Sequence, residues 1–303
     1  MKEANGMIIK GSGGLYQILC EDKTSISCRA KGAFRHAAIS PVVGDHVTLA
    51  FDELDNPIIE RIAERKNLLI RPSLANLDTL FIVIPSASPS PDYFTVDKLS
   101  AIAAHNKINT VMVISKSALD PEQAELSKSI YEKSAHEVFV TDAVANIGID
   151  ELKKYIGEKC SGKITAFAGA SGVGKSTLLN RLFPHLTLST GEVSQKTGRG
   201  RHTTRLVELF ETDEGSFIAD TPGFTMLDFE HFDFFTIDDL IPAFVEYSDY
   251  IGKCRYTKCS HTKEEGCAIV EAVNDGTLAK SRHESYIALR EILKNKQPWK
   301  KKN

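Results

Sequence analysis

The chain has 303 residues, 42% hydrophobic and 25% charged, with a formal net charge of −3. That length suggests two or three domains, and the composition is that of a soluble globular protein with a real core. No run of about 18 apolar residues occurs, which argues against a membrane-spanning protein. The start, MKEANGMIIKGSGG, carries no apolar leader with a cleavage site, so a cytoplasmic protein with reduced thiols is expected. The six cysteines are then free thiols or metal ligands.

Residues 1–70 read as five short strands, GMIIKG, LYQILCE, SISCRAKG, DHVTLAFD and PIIERIAE, separated by turn signals such as Gly13-Gly14 and Asp55-Asn56-Pro57. Five such strands predict a small closed barrel of the OB type. Cys20 and Cys28 fall in strand patterns and are expected in its core. Arg29, Lys31 and Arg35 sit together on one barrel segment and are candidates for RNA contact.

From 71 to 227 strands alternate with helices. TLFIVIPS, TVMVISK, EVFVTDA, KITAFAGA, RLVELFE and SFIADTPG are the strand candidates, with VDKLSAIAAHN and PEQAELSKSIYEKS among the helices between them. Apolar runs joined by helices predict a buried, mostly parallel sheet. The second strand ends in VISKSALD, residues 113–120. Ser115-Lys116-Ser117-Ala118 stands where GTP-binding proteins carry Asn-Lys-x-Asp, with Ala118 in place of the base-reading carboxylate. Ala118 cannot accept hydrogen bonds from guanine, so weaker guanine selection is expected, improved by Ala118→Asp. Asp120 or Asp142 could supply a substitute carboxylate, though neither sits at the usual spacing, and backbone N–H groups near Thr141-Asp142-Ala143 could meet the base oxygen.

GASGVGKST matches the G-x-x-x-x-G-K-[ST] phosphate loop, flanked by a strand and a helix as that motif requires. Its backbone N–H groups and the following helix N-terminus suit phosphate. Gly169, Ala170, Ser171, Gly172, Val173, Gly174, Lys175, Ser176 and Thr177 are therefore expected to bind nucleotide. Lys175 would reach the β/γ-phosphates and Ser176 would hold magnesium. Downstream, DTPG places Asp220 and Gly223 at a strand end, Asp220 towards magnesium and Gly223 towards the γ-phosphate. Between the two motifs lies GRGRHTTR, a switch-like segment in which Thr204, in preference to Thr203, would meet magnesium.

From 228 onwards the sequence reads as a small, mainly helical unit. CRYTKCSHTKEEGC sets Cys254, Cys259, His261 and Cys267 as C-x4-C-x-H-x5-C. Three thiolates and an imidazole at that spacing suit one closed, structural zinc, the alternative being buried free thiols. Residues 280–302 hold eight basic side chains, either solvated surface or a basic tail.

The order of base loop, phosphate loop, switch and DTPG resembles a circularly permuted GTPase, and specifically the ribosome small-subunit-dependent GTPase A family. PVVGDHV, RKNLLIRPSLANLDTLFIV, GASGVGKSTLLN, GRGRHTTR, DTPGF and the cysteine cluster carry that resemblance across nearly the whole chain. It implies an N-terminal OB-fold RNA-binding domain (1–70), a circularly permuted α/β P-loop GTPase domain (71–227) and a zinc-binding helical domain (228–303). It implies GTP hydrolysis to GDP and phosphate in late maturation of the small subunit, with the subunit and its 16S rRNA as partners and a monomeric state. Zinc and magnesium would be the metals. The position after DTPG is Phe224, which cannot orient water, and the resemblance assigns hydrolysis support to His202. A nucleotide-dependent RNA-binding module with little turnover is the alternative. A P-loop ATPase or kinase would leave the permuted order, barrel and cysteine cluster unexplained.

Overall fold

The computed structural model describes residues 3–32, 34, 40–70, 72–186, 207–213, 215–220 and 235–295, the Asp220 side chain excepted. The backbone divides into two compact units. One holds residues 1–79, 153–167 and 179–224, the other residues 80–152, 168–178 and 225–303.

In the first unit β1 (Glu3–Ser12), β2 (Leu15–Cys20), β3 (Ser25–Ala30), β4 (His46–Phe51) and β5 (Pro57–Ile62) pair in the order β1-β2-β3-β5-β4. The antiparallel pairing of β1 with β4 closes the ring, and β3–β5 is its parallel pair. Closure removes both sheet edges, and this is the expected five-stranded barrel. Alternation sends Ile8, Ile18, Leu49 and Ile59 inward to zero exposure. Cys20 and Cys28 join them as expected, and burial pushes the Cys28 thiol up to about 11.

PVVGDHV is a clasp in this unit. Asp45, fully buried, takes Arg65 through both carboxylate oxygens at 2.7 and 2.8 Å, and the Val42 N–H at 2.8 Å. Gly44 has φ +89, and a Cβ there would lie 2.1 Å from the Ala75 carbonyl oxygen, so no other residue fits. Asn76 Nδ2 donates to the Gly44 carbonyl at 2.8 Å, and its Oδ1 accepts from the Lys66 N–H. Asn67 brackets Leu77 from both sides of its peptide. The segment so held is a hairpin, β6 (Leu68–Ile70) against β7 (Ser73–Ala75). Three-residue strands are too short for alternation to betray them.

The same unit holds β11 (Ile164–Ala168), β12 (Glu208–Glu211) and β13 (Phe217–Asp220). β13 runs parallel to β11, with Ala219 opposite Ala166. β12 runs antiparallel to β13, because only five residues separate them in sequence, too few for a crossover. β12 also pairs with β1 at Lys10 and Glu208, whose side chains form an ion pair of 2.8 Å.

The second unit is built on β8 (Leu77–Pro85), β9 (Asn109–Ser115) and β10 (Glu137–Val140), in the order β10-β9-β8. β9 and β10 are parallel. Phe81–Ile84 and Val111–Ile114 are at most 1% exposed, as strands covered on both faces must be. α1 (Tyr93–His105) and α2 (Pro121–Glu132) make the crossovers. Asp92 caps α1, and Asp120 with Pro121 starts α2, Asp120 accepting from the Gln123 N–H at 2.9 Å. α3 (Ile149–Lys159) follows β10, and α4 (Lys175–Leu182) follows β11.

The remainder of the second unit contains α5 (Leu240–Ala243), a 3-10 turn (Val245–Tyr250), α6 (Ala268–Asn274) and α7 (Lys280–Asn295). Its anchor is Arg282, one of the basic residues of the 280–302 block. It is only 1% exposed, so this member of the block is not solvated surface. Its guanidinium donates to both Glu246 oxygens at 2.8 and 2.9 Å, to Asp97 at 2.9 Å and to Ser100 at 2.9 Å. It also lies 4.8 Å from the Phe244 ring centre. Burial opposes its charge, but Glu246 and Asp97 outweigh burial and hold it protonated.

Candidate functional site: phosphate loop, base pocket and cysteine cluster

Residues 169–174 turn the chain from the end of β11 into α4. Gly169 has φ +149, and a Cβ there would lie 2.7 Å from the Val83 carbonyl oxygen, so the loop reaches β8 only as glycine. Gly174 has φ +96 and sits against Ser115 and Lys116. Lys175 Nζ donates to the Gly169 and Ala170 carbonyls at 2.6 and 3.0 Å, which curls the loop around its own ammonium. Burial lowers the Lys175 pKa from the ordinary lysine value. Ser176 and Thr177 follow on the first turn of α4.

The SKSA loop meets the phosphate loop directly. Ser115 Oγ donates to the Val173 carbonyl at 2.6 Å, so the serine ties β9 to the loop. Lys116 lies in the left-handed region at φ +58. Its ammonium donates to the Gly172 carbonyl at 2.7 Å and to the Ser88 carbonyl. The lysine stem is thereby laid across from β9 to the loop.

Beside these residues opens a cavity of about 290 Å³. Ser115, Lys116, Ala118 and Leu119 line one side, Thr141 to Ala145 another, and Gly174, Thr177 and Leu178 the floor. Its size is near the lower end for small-molecule sites, about 300 Å³, and suits one flat heterocycle. The base loop and the phosphate loop, more than 50 residues apart in sequence, thus share one pocket.

The cysteine cluster is also assembled. Ligand atoms of Cys254, Cys259, His261 and Cys267 all lie within 4.8 Å of one another. Cys254 Sγ is 3.8 Å from Cys267 Sγ, and each is 3.5 Å from His261 Nδ1. A tetrahedral ion at about 2.3 Å from sulfur and about 2.0 Å from nitrogen has edges of about 3.8 and 3.5 Å. The four side chains could therefore hold one metal ion. His261 is strained at φ +57. Its carbonyl is held by His283 Nε2 at 2.7 Å, and the loop by the Glu264 carboxylate, which accepts from the N–H groups of Ser260, Thr262 and Lys263. Cys160 is buried elsewhere in the chain, outside the cluster.

Comparison with known proteins settles the ancestry. The profile of the RsgA GTPase matches residues 62–230, and that of the RsgA N-terminal domain matches residues 5–59. The chain belongs to the RsgA GTPase family. The proteins named small ribosomal subunit biogenesis GTPase RsgA from Caldanaerobacter subterraneus subsp. tengcongensis and Clostridium beijerinckii are 38% and 40% identical to it. The first alignment spans 100% of both chains, the second 97% of this chain and 100% of the relative. Among solved structures, YjeQ from Thermotoga maritima superposes with a TM-score of 0.83 at 32% identity, covering 98% of this chain and 100% of its own. YloQ, described as a circularly permuted GTPase, gives 0.79 at 30% identity, covering 98% and 97%.

Within this RsgA chain the permutation is visible in element order: β9 and its SKSA loop precede the phosphate loop. Ser115 and Lys116 are brought against the phosphate loop at Gly172, Val173 and Gly174. Asp220 ends β13. His202, Thr203, Thr204, Gly223, Phe224 and Arg35 lie outside the described residues. Of the two substitute carboxylates that the sequence offers, Asp142 lines the cavity with the rest of the 141–145 turn, and Asp120 does not. The parallel pairing of β9 with β10 is what carries that turn there.

Proposed function

We propose that this chain is a GTPase of small ribosomal subunit biogenesis, hydrolysing GTP to GDP and phosphate when the subunit is bound. The observation that carries this reading is the single pocket formed by the SKSA loop and the phosphate loop, in a chain alignable end to end with RsgA proteins. Lys175 would draw charge from the β/γ-phosphates, and Ser176 with Thr204 would hold the magnesium that accompanies GTP. Asp220 and Gly223 would face magnesium and the γ-phosphate. The three parts, 1–70, 71–227 and 228–303, would serve RNA binding, nucleotide chemistry and metal-supported docking.

The test is phosphate release with and without purified small subunits. Stimulation is expected, and His202→Ala should lower stimulated turnover by about 10²-fold, the scale of lost general-base or water-orienting help, with GTP affinity retained. No stimulation in the unmodified chain would favour the alternative, an RNA-binding module with little turnover. Loss of subunit binding in His202→Ala, with intrinsic hydrolysis unchanged, would make His202 an RNA contact instead.

The barrel is the proposed 16S rRNA reader, acting as a monomer in the cytoplasm. Among the described residues no helix is long and apolar enough to cross a membrane. Arg29 and Lys31 are exposed on and just after β3, although Lys31 also pairs with Glu60 at 2.7 Å. Phosphate contacts release counterions, so three such contacts lose about 20- to 40-fold in affinity over a fourfold rise in salt. Subunit affinity that stays flat between 50 and 200 mM salt would remove the electrostatic part of the proposal.

The metal of the cysteine cluster is proposed to be one zinc per chain. Three thiolates and one imidazole leave no open coordination position, so its role is structural.

A further inference from the structure

The base pocket lacks a carboxylate on the SKSA loop, yet it holds one from another strand. We propose that Asp142 is the residue that reads the guanine base in this chain, taking the part that Ala118 cannot play. The proposal rests on the GTPase reading above and deepens it.

Among the described residues, Asp142 is the only acidic one lining the cavity. Its Oδ2 lies 3.2 Å from the Ala118 N–H, beside the space that a longer side chain at 118 would fill. A carboxylate offers about four acceptor positions. Oδ1 spends its two on the N–H groups of Val144 and Ala145, at 3.0 and 2.9 Å. Oδ2 takes only the Ala118 contact, which is at the long end for a hydrogen bond, and keeps acceptor capacity. Asp142 is 5% exposed, so a donor arriving there meets an anion already stripped of most of its water.

Three other polar side chains of the pocket are committed. Ser115 Oγ bonds the Val173 carbonyl, Thr141 Oγ1 the Ile114 carbonyl, and the Lys116 ammonium two further carbonyls. Asp120, the other carboxylate close in sequence, caps α2 and does not line the cavity.

The chemistry follows from the base edges. Guanine presents N1–H and its exocyclic amine side by side; the free position of Oδ2 accepts from one of them, and the other donor lies next to the same anion. Adenine presents its N1 lone pair there, which an anion repels. Xanthine replaces the amine by a carbonyl, which an amide donor would suit better than a carboxylate. On this reading the gain in guanine preference expected from Ala118→Asp does not arise. That change alone puts two carboxylates in one pocket, where like charges disfavour each other.

Equilibrium competition against a fluorescent GDP, with magnesium, tests this on the full chain using GDP, xanthosine diphosphate and ADP. The unmodified chain should prefer GDP. Asp142→Asn should weaken GDP roughly tenfold or more, the cost of a hydrogen bond to a charged group, and reverse the order of GDP and xanthosine diphosphate, with ADP little changed. The amide oxygen can still hold the 144–145 turn, and an unchanged melting temperature checks this. Ala118→Asp combined with Asp142→Asn returns a carboxylate to the usual loop and should restore guanine preference. An unmodified chain that discriminates, but whose ratios survive Asp142→Asn, would assign base reading to another group. Equal binding of all three by the unmodified chain would mean that the base is not read. If none of the three binds, the GTPase reading itself fails.

Discussion

Arg282→Ala should destabilise the second unit by about 3–5 kcal/mol, the scale for breaking a buried ion pair from one side. The substitution leaves Asp97 and Glu246 facing each other with no cation between them; the three side chains are now 0–3% exposed. Arg282→Lys should recover only part of the loss, because an ammonium cannot fork onto both Glu246 oxygens while also reaching Asp97 and Ser100. Replacing Arg282, Asp97 and Glu246 together by Met, Asn and Gln removes the stranded charges and should cost less than Arg282→Ala alone. Urea unfolding followed by tryptophan-independent circular dichroism measures this. A change under about 1 kcal/mol for Arg282→Ala would mean that water reaches the carboxylates and that the cluster is not the anchor described.

Loss of the metal site is the second large effect. Cys267→Ser, or treatment with a strong chelator, should remove one zinc per chain by metal analysis. Structural zinc carries about 10–16 kcal/mol of apparent binding free energy in small finger peptides, so its loss releases the loop it closes. Amide exchange should accelerate over residues 254–267 and on the face of α7 tied to them. There His283 holds the His261 carbonyl and Tyr286 donates to the Ser260 carbonyl at 3.0 Å. Nucleotide binding should be retained. Purified protein with no stoichiometric zinc, or Cys267→Ser with unchanged exchange in this loop, would leave the four side chains as buried thiols and a histidine.

The parts of this molecule that could be read in advance are those specified by neighbours in sequence. The barrel strands show period-two alternation, the phosphate loop is set by glycines at fixed spacing, and the four side chains of the cysteine cluster fall within fourteen residues. What escaped depends on distant contacts. Asp142 reaches Ala118 only because β10 lies parallel to β9, with Val140 opposite Ile114. Arg282 sits in a basic run that reads as surface, and its burial is decided by Asp97, 185 residues earlier. The β6–β7 hairpin has no signature of its own, since each strand is three residues long. α3 was not singled out in the sequence, although Ile149, Leu152 and Ile156 recur at helical spacing and are all buried.

The clasp around Gly44 decides where this chain can be cut. Deletion of residues 1–70 would remove β6 and leave Ser73–Ala75 without its partner strand. It would also deprive Asn76 of the Gly44 carbonyl and Leu77 of Asn67, exposing apolar Leu74 and Leu77, both now at zero exposure. Such a fragment invites aggregation, and its loss of subunit binding would say nothing about RNA. The barrel is therefore better silenced by point changes on its surface than by excision.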